Sequence, residues 1–96
     1  MLYKLENEIE LVERHMSVLR AVLENGPVGI VSLSTRLGQP NHKVRYSLRR
    51  LEEEGLIEPS RSGAVPTDRA DDHLPEFHAR IDDLIDRIED LSVSDR

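Results

Sequence analysis

Ninety-six residues allow one compact domain that buries roughly two-thirds of its unfolded surface, and leave no room for a barrel or a doubly wound sheet. Nineteen acids against thirteen Lys and Arg give a net charge of −6, which as a single number argues against a polyanionic partner. The absence of cysteine excludes disulfides, thiolate zinc sites and thiol nucleophiles.

No apolar run approaches the roughly 20 residues that span a bilayer. The acidic, periodic N-terminus lacks a signal-peptide layout, so a cytoplasmic protein without membrane contact is expected. Two Tyr, one Phe and no Trp leave the core to Leu, Ile and Val. Eleven Arg beside two Lys, with many acids, is the composition expected of a GC-rich genome and of a high-salt cytosol.

Residues 2–24 predict a first helix. Leu5, Ile9, Val12, Met16, Leu19 and Leu23 alternate steps of four and three, an apolar seam of heptad type. Glu6, Glu8, Glu10, Glu13, Arg14 and Arg20 fill its other faces. Asn25-Gly26-Pro27 stops it, with Gly26 expected in the left-handed conformation. A short second helix fits residues 30–37, with Ile30, Leu33 and Leu37 on one face and Gly29 as its cap. Gly38-Gln39-Pro40 is the next break, Gly38 supplying a positive φ and Pro40 opening the third helix at its first position.

That third helix is predicted over residues 40–54. Val44, Leu48 and Leu51 form a narrow buried stripe, and Gly55 ends it. Leu56–Pro59 and Ala64–Pro66 predict two short edge strands around the turn Ser60-Arg61-Ser62-Gly63. Residues 67–74 read as a polar linker. Pro75 then opens a last helix over 75–92 whose Leu74, Phe77, Ile81, Leu84, Ile88 and Leu91 step by threes and fours, with Ile85 widening the seam. Residues Ser92–Arg96 are expected to fray.

Helix, short helix, tight turn, helix and hairpin is the order of a winged helix-turn-helix. Residues Gly26–Pro66 resemble the small winged helix-turn-helix transcriptional regulators of archaea and bacteria. The likeness rests on Leu37-Gly38 and on Leu51-Glu52-Glu53-Glu54-Gly55-Leu56-Ile57. With the first helix it covers about two-thirds of the chain. It implies a mainly α fold with a small β-hairpin wing over residues 1–66, extended by residues 1–13 at one end and the last helix at the other. The sequence departs from the family at Pro40, where a small polar cap is usual, and in a wing with one basic residue at its tip.

The residues support the likeness independently. With Val44 at 0° and steps of about 100°, His42, Tyr46 and Arg49 fall at roughly 140–200°, flanked by Lys43, Arg45 and Arg50. The predicted solvent face holds no carboxylate before Glu52. Such a helix fits a major groove about 12 Å wide, where Arg and Lys read guanine edges. Asn41 at its start is placed for an adenine or a phosphate. Arg36 on the second helix and Arg61 at the wing tip are expected on phosphates.

Charge also partitions. Residues 26–51 hold five cations and no acid, a charge of +5, which leaves −11 on the rest of a chain totalling −6. Segregation of this kind focuses a positive field on one surface. The sequence thus predicts a sequence-specific regulator bound to double-stranded DNA. The alternative is a winged helix used for protein contact, for which Tyr46 is the only apolar anchor on that face.

The terminal seams exceed what a winged-helix core requires. They cover one another within one chain or between two, and the expected arrangement is a homodimer through Leu5, Ile9, Val12, Leu74, Phe77, Ile81, Leu84, Ile85, Ile88 and Leu91. His73, His78 and Asp82 near Asp71 and Asp72 match no zinc pattern. Paired acids such as Asp82-Asp83 diverge on a helix, and no Gly-rich phosphate loop occurs. No enzyme activity, cofactor or small-molecule ligand is therefore expected, and any ligand would lodge in the seam between subunits.

Overall fold

The structure is a computed structural model that describes residues 1–92. Its elements are α1 (Leu2–Asn25), α2 (Ile30–Leu37), α3 (Asn41–Glu53), β1 (Ile57–Ser60), β2 (Gly63–Pro66) and α4 (Arg69–Asp90). A mainly helical chain closed by a two-stranded hairpin is a winged helix-turn-helix. Of Ser92–Arg96, expected to fray, Ser92 still donates its N–H to the Glu89 carbonyl at 3.1 Å, and 93–96 lie outside the described residues.

One core joins the elements. Val18, Leu19 and Val22 of α1, Leu33 of α2, and Val44, Leu48 and Leu51 of α3 bury their side chains together. Leu56, Ile57 and Ala64 close the core from the wing side. Only the C-terminal part of α1 takes part, because Val18 is its first buried residue. Its N-terminal seam projects beyond the domain, leaving Leu5, Ile9 and Val12 exposed.

The strands pair antiparallel, Ile57 with Pro66 and Ser60 with Gly63, around a two-residue turn of Arg61 and Ser62. A third stretch of backbone joins them. Val28 N–H donates to Ala64 at 3.1 Å, and Ala64 N–H donates back to Val28 at 2.9 Å. Pro59 lies in β1, whose other edge is open, so its missing N–H removes no ladder bond there. Gly63 has φ +130°, and a Cβ on it would lie 2.6–2.8 Å from the Val28 backbone.

Several local expectations are corrected. Gly26 is extended, with φ −63° and ψ 150°, and is not left-handed. Its lack of a side chain serves close approach, since a Cβ would lie 2.6 Å from the Val22 carbonyl oxygen. Gly38 does take the left-handed conformation, φ 64°. Pro40 stands just before α3 as its N-cap, not within its first turn. Its carbonyl accepts from Lys43 and Val44 N–H, both at 3.1 Å.

The segment expected as a linker, 67–74, is mostly helix. Two interactions fix the chain ahead of it: Thr67 N–H donates to the Leu56 carbonyl at 3.0 Å and Thr67 Oγ1 donates to the Gly55 carbonyl. Ala70 then buries completely, while Asp71 and Asp72 favour the positive helix start. Pro75 therefore sits inside α4, where it withholds one N–H from the ladder. The earlier start also turns Leu74 against the domain core, away from the seam. No helix among the described residues is long and apolar enough to cross a membrane.

Candidate nucleic-acid interface

The position of α3 follows from its sequence. Val44, Leu48 and Leu51 recur on one side and enter the core, leaving the opposite side in water. The turn before it is held by Ser34 Oγ, which donates to the Gln39 carbonyl, and by Gln39 N–H, which donates to Ser34 at 3.2 Å. These bonds and the left-handed Gly38 set the angle between α2 and α3.

Asn41, His42, Lys43, Arg45, Tyr46, Arg49 and Arg50 are all exposed along α3. Arg36 is exposed on α2, where its Nε donates to Ser32 Oγ at 3.4 Å. Arg61 is exposed in the hairpin turn, whose geometry is held by Ser60 Oγ donating to the Gly63 carbonyl at 2.6 Å. The cations of α3 are not equivalent. Arg50 pairs with Glu53 at 3.1 Å and Glu54 at 3.4 Å. Among the described residues, Lys43, Arg45 and Arg49 form no ion pair.

The structure adds three residues that sequence reasoning missed. Ser47 is fully buried in α3. Its hydroxyl accepts from Arg14 Nε at 3.3 Å and lies 2.8 Å from His15 Nδ1. The His15 ring sits 5.8 Å from that of Tyr46. Burial, then Arg14 and Arg50, pushes the imidazole below its ordinary 6.5. The one signal available beforehand was the spacing of Ser47, three residues after Val44 and next to Leu48, which sets it beside the apolar stripe.

A second feature lies at the far end of α1. Leu5, Ile9, Val12 and Met16 face Phe77, Ile81, Leu84, Ile85, Ile88 and Leu91 of α4 across an open groove of about 950 Å³. Every residue expected in the dimer interface except Leu74 lines it, while Leu19 and Leu23 of the α1 seam turn into or against the domain core. Glu8, Glu13, Arg20, His78 and Arg87 form its polar edges. Among the described residues, no group of three or more His, Asp or Glu is placed to hold a metal ion.

A winged helix-turn-helix whose third helix presents cations, amide and imidazole to solvent belongs to the class of DNA-reading domains of transcriptional regulators. Residues 5–71 match the family described as "Sugar-specific transcriptional regulator TrmB". The chain belongs to this family, whose members regulate transcription and are not enzymes. It is also 41% identical over 54 residues to the HTH-type transcriptional regulator GlpR of Haloferax volcanii, an alignment covering 56% of this chain and 21% of that protein. The chain thus spans about a fifth of that relative's length.

Proposed function

We propose that the protein is a dimeric, sequence-specific DNA-binding regulator whose α3 enters the major groove of its operator in the cytoplasm. The observation that carries this reading is the exposed face of α3, where Lys43, Arg45 and Arg49 stand free of carboxylates among the described residues. Arg45 and Arg49 are assigned to base edges, with His42, Asn41 and Tyr46 beside them. Lys43, Arg36 and Arg61 are assigned to the phosphates that fix register.

The groove between α1 and α4 supports the dimer. Leu5, Ile9, Val12, Leu84, Ile85, Ile88 and Leu91 are exposed large apolar residues in one patch, of the kind that marks an interaction surface. A second copy offers the same seams, and a two-fold pair places two recognition helices on successive turns of one DNA face. The family description names sugars. The Leu, Ile, Val, Met and Phe side chains of the groove suit an apolar helix, with Glu8, Glu13, Arg20, His78 and Arg87 at its edges to pair with a partner's polar groups.

The test is an anisotropy titration against a duplex selected from a random pool, repeated across salt concentrations. About five neutralised phosphates give a slope of log K on log salt near −4.5. A flat salt response, or no selected duplex, overturns this reading and favours a protein-contact module.

A further inference from the structure

Ser47 is out of place for a residue that only fills space. It is fully buried beside Val44, Leu48 and Leu51, where a methyl would pack without polar demands and a hydroxyl costs stability unless its hydrogen bonds are met. They are met entirely from another helix. Arg14 Nε–H donates to Ser47 Oγ at 3.3 Å, and the hydroxyl lies 2.8 Å from His15 Nδ1. A hydroxyl has one hydrogen to give. Arg14 has none to accept it, so the network assigns it to His15 Nδ1, with the imidazole neutral and its proton on Nε2. The chain of donors therefore runs Arg14 to Ser47 to His15, and it ends at an imidazole whose ring lies 5.8 Å from Tyr46 on the exposed face.

Resting on the reading of α3 as the DNA-contacting helix, we propose that His15 and Ser47 are positioning residues: they touch no DNA, but set the roll of α3 about its axis and hence the presentation of Tyr46 to the operator. Two adjacent residues of α3 are fixed by adjacent residues of α1, Ser47 by hydrogen bonds and Tyr46 by ring contact. Apolar packing of Leu and Val resists separation more than rotation, whereas directional bonds resist rotation.

The device also has a defined way to fail. The charged and titratable groups about His15 are Arg14 on its own helix and, on α3, Arg50 and Tyr46. Protonation turns Nδ1 into a donor, so Ser47 Oγ then faces two cationic donors while its own hydrogen loses its acceptor. Burial and both guanidinium groups already oppose that state.

The experiment compares the full chain with Ser47→Ala, His15→Leu and His15→Asn at pH 8, reading the ratio of affinities for a selected and a random duplex. Ser47→Ala and His15→Leu are expected to lower this ratio about tenfold, the equivalent of one lost hydrogen bond, with helical content retained. His15→Asn, which offers an amide oxygen near Nδ1, is expected to keep it. Between pH 8 and pH 5 the wild-type ratio falls and that of His15→Asn stays level, a comparison in which every other titrating group is common.

A DNA-free measurement accompanies it. In the wild type, amide resonances of α3 around Tyr46 and Ser47 are expected to titrate with the midpoint of the His15 imidazole, and to lose that midpoint in Ser47→Ala. Amides blind to His15, or variants that bind with unchanged ratio, overturn the inference alone. A wild type that binds no duplex overturns the reading of α3 and this inference with it.

Discussion

Arg50 bridges to Glu53 and Glu54, one turn along its own helix, at 3.1 and 3.4 Å. Both partners are exposed, so the pairs contribute only about 0–1 kcal/mol to stability. On the proposed reading their effect on recognition is larger in kind, because Arg50 would meet DNA with its charge already shared by two carboxylates. Arg45 and Arg49 should therefore dominate binding. Their replacement by Ala is expected to cost about 1–3 kcal/mol each on the selected duplex, while Arg50→Ala costs less than either. Equal losses in an anisotropy titration would remove the distinction.

The wing depends on Gly63. Its φ of +130° and the Val28 backbone 2.6–2.8 Å from any added Cβ leave Ala no accommodating position. Gly63→Ala should destabilise by about 2 kcal/mol, lowering the melting temperature by roughly 8–16 °C. Gly29, whose added Cβ meets nothing within 4 Å, serves as the control. Similar melting curves for the two Ala variants would contradict this account.

Assembly through the groove is open to a direct check. Leu84→Glu places a charge on the apolar lining without touching the domain core. Sedimentation should find a dimer in the wild type at micromolar concentration and a monomer in the variant, with melting little changed. A monomeric wild type would mean that each chain covers its own seam.

Stability should fall on mild acidification. The folded His15 sits below its ordinary 6.5, chiefly through burial, so the unfolded chain takes up the proton first. The contribution is complete above pH 6.5, declines as pH drops below it, and is lost once pH passes the folded value. Denaturant titrations from pH 8 to pH 5 should show this decline in the wild type and a smaller one in His15→Asn. Parallel profiles would place the loss elsewhere.

Much of this was legible beforehand, for identifiable reasons. Val44, Leu48 and Leu51 repeat at helical spacing, so which side of α3 is buried follows from period alone. Gly38 carries the positive φ that its turn demands. What failed was what depends on contacts distant in sequence. Gly26 is shaped by the Val22 and Ala64 carbonyls, and Thr67 anchors to Gly55, which starts α4 ahead of Pro75. Ser47 is polar by composition and buried by position, and its partners lie more than thirty residues away. No local pattern encodes such a pairing.

The continuity of α1 has one more consequence. Val12 and Met16 line the groove, and Arg14 and His15, lying between them in sequence, bear on α3. A single turn of helix, about 5.4 Å of rise, thus carries both part of the groove lining and the side chains that hold α3. A second copy in the groove, as proposed, would bear on the same turn of α1 that holds Ser47 and Tyr46 in place.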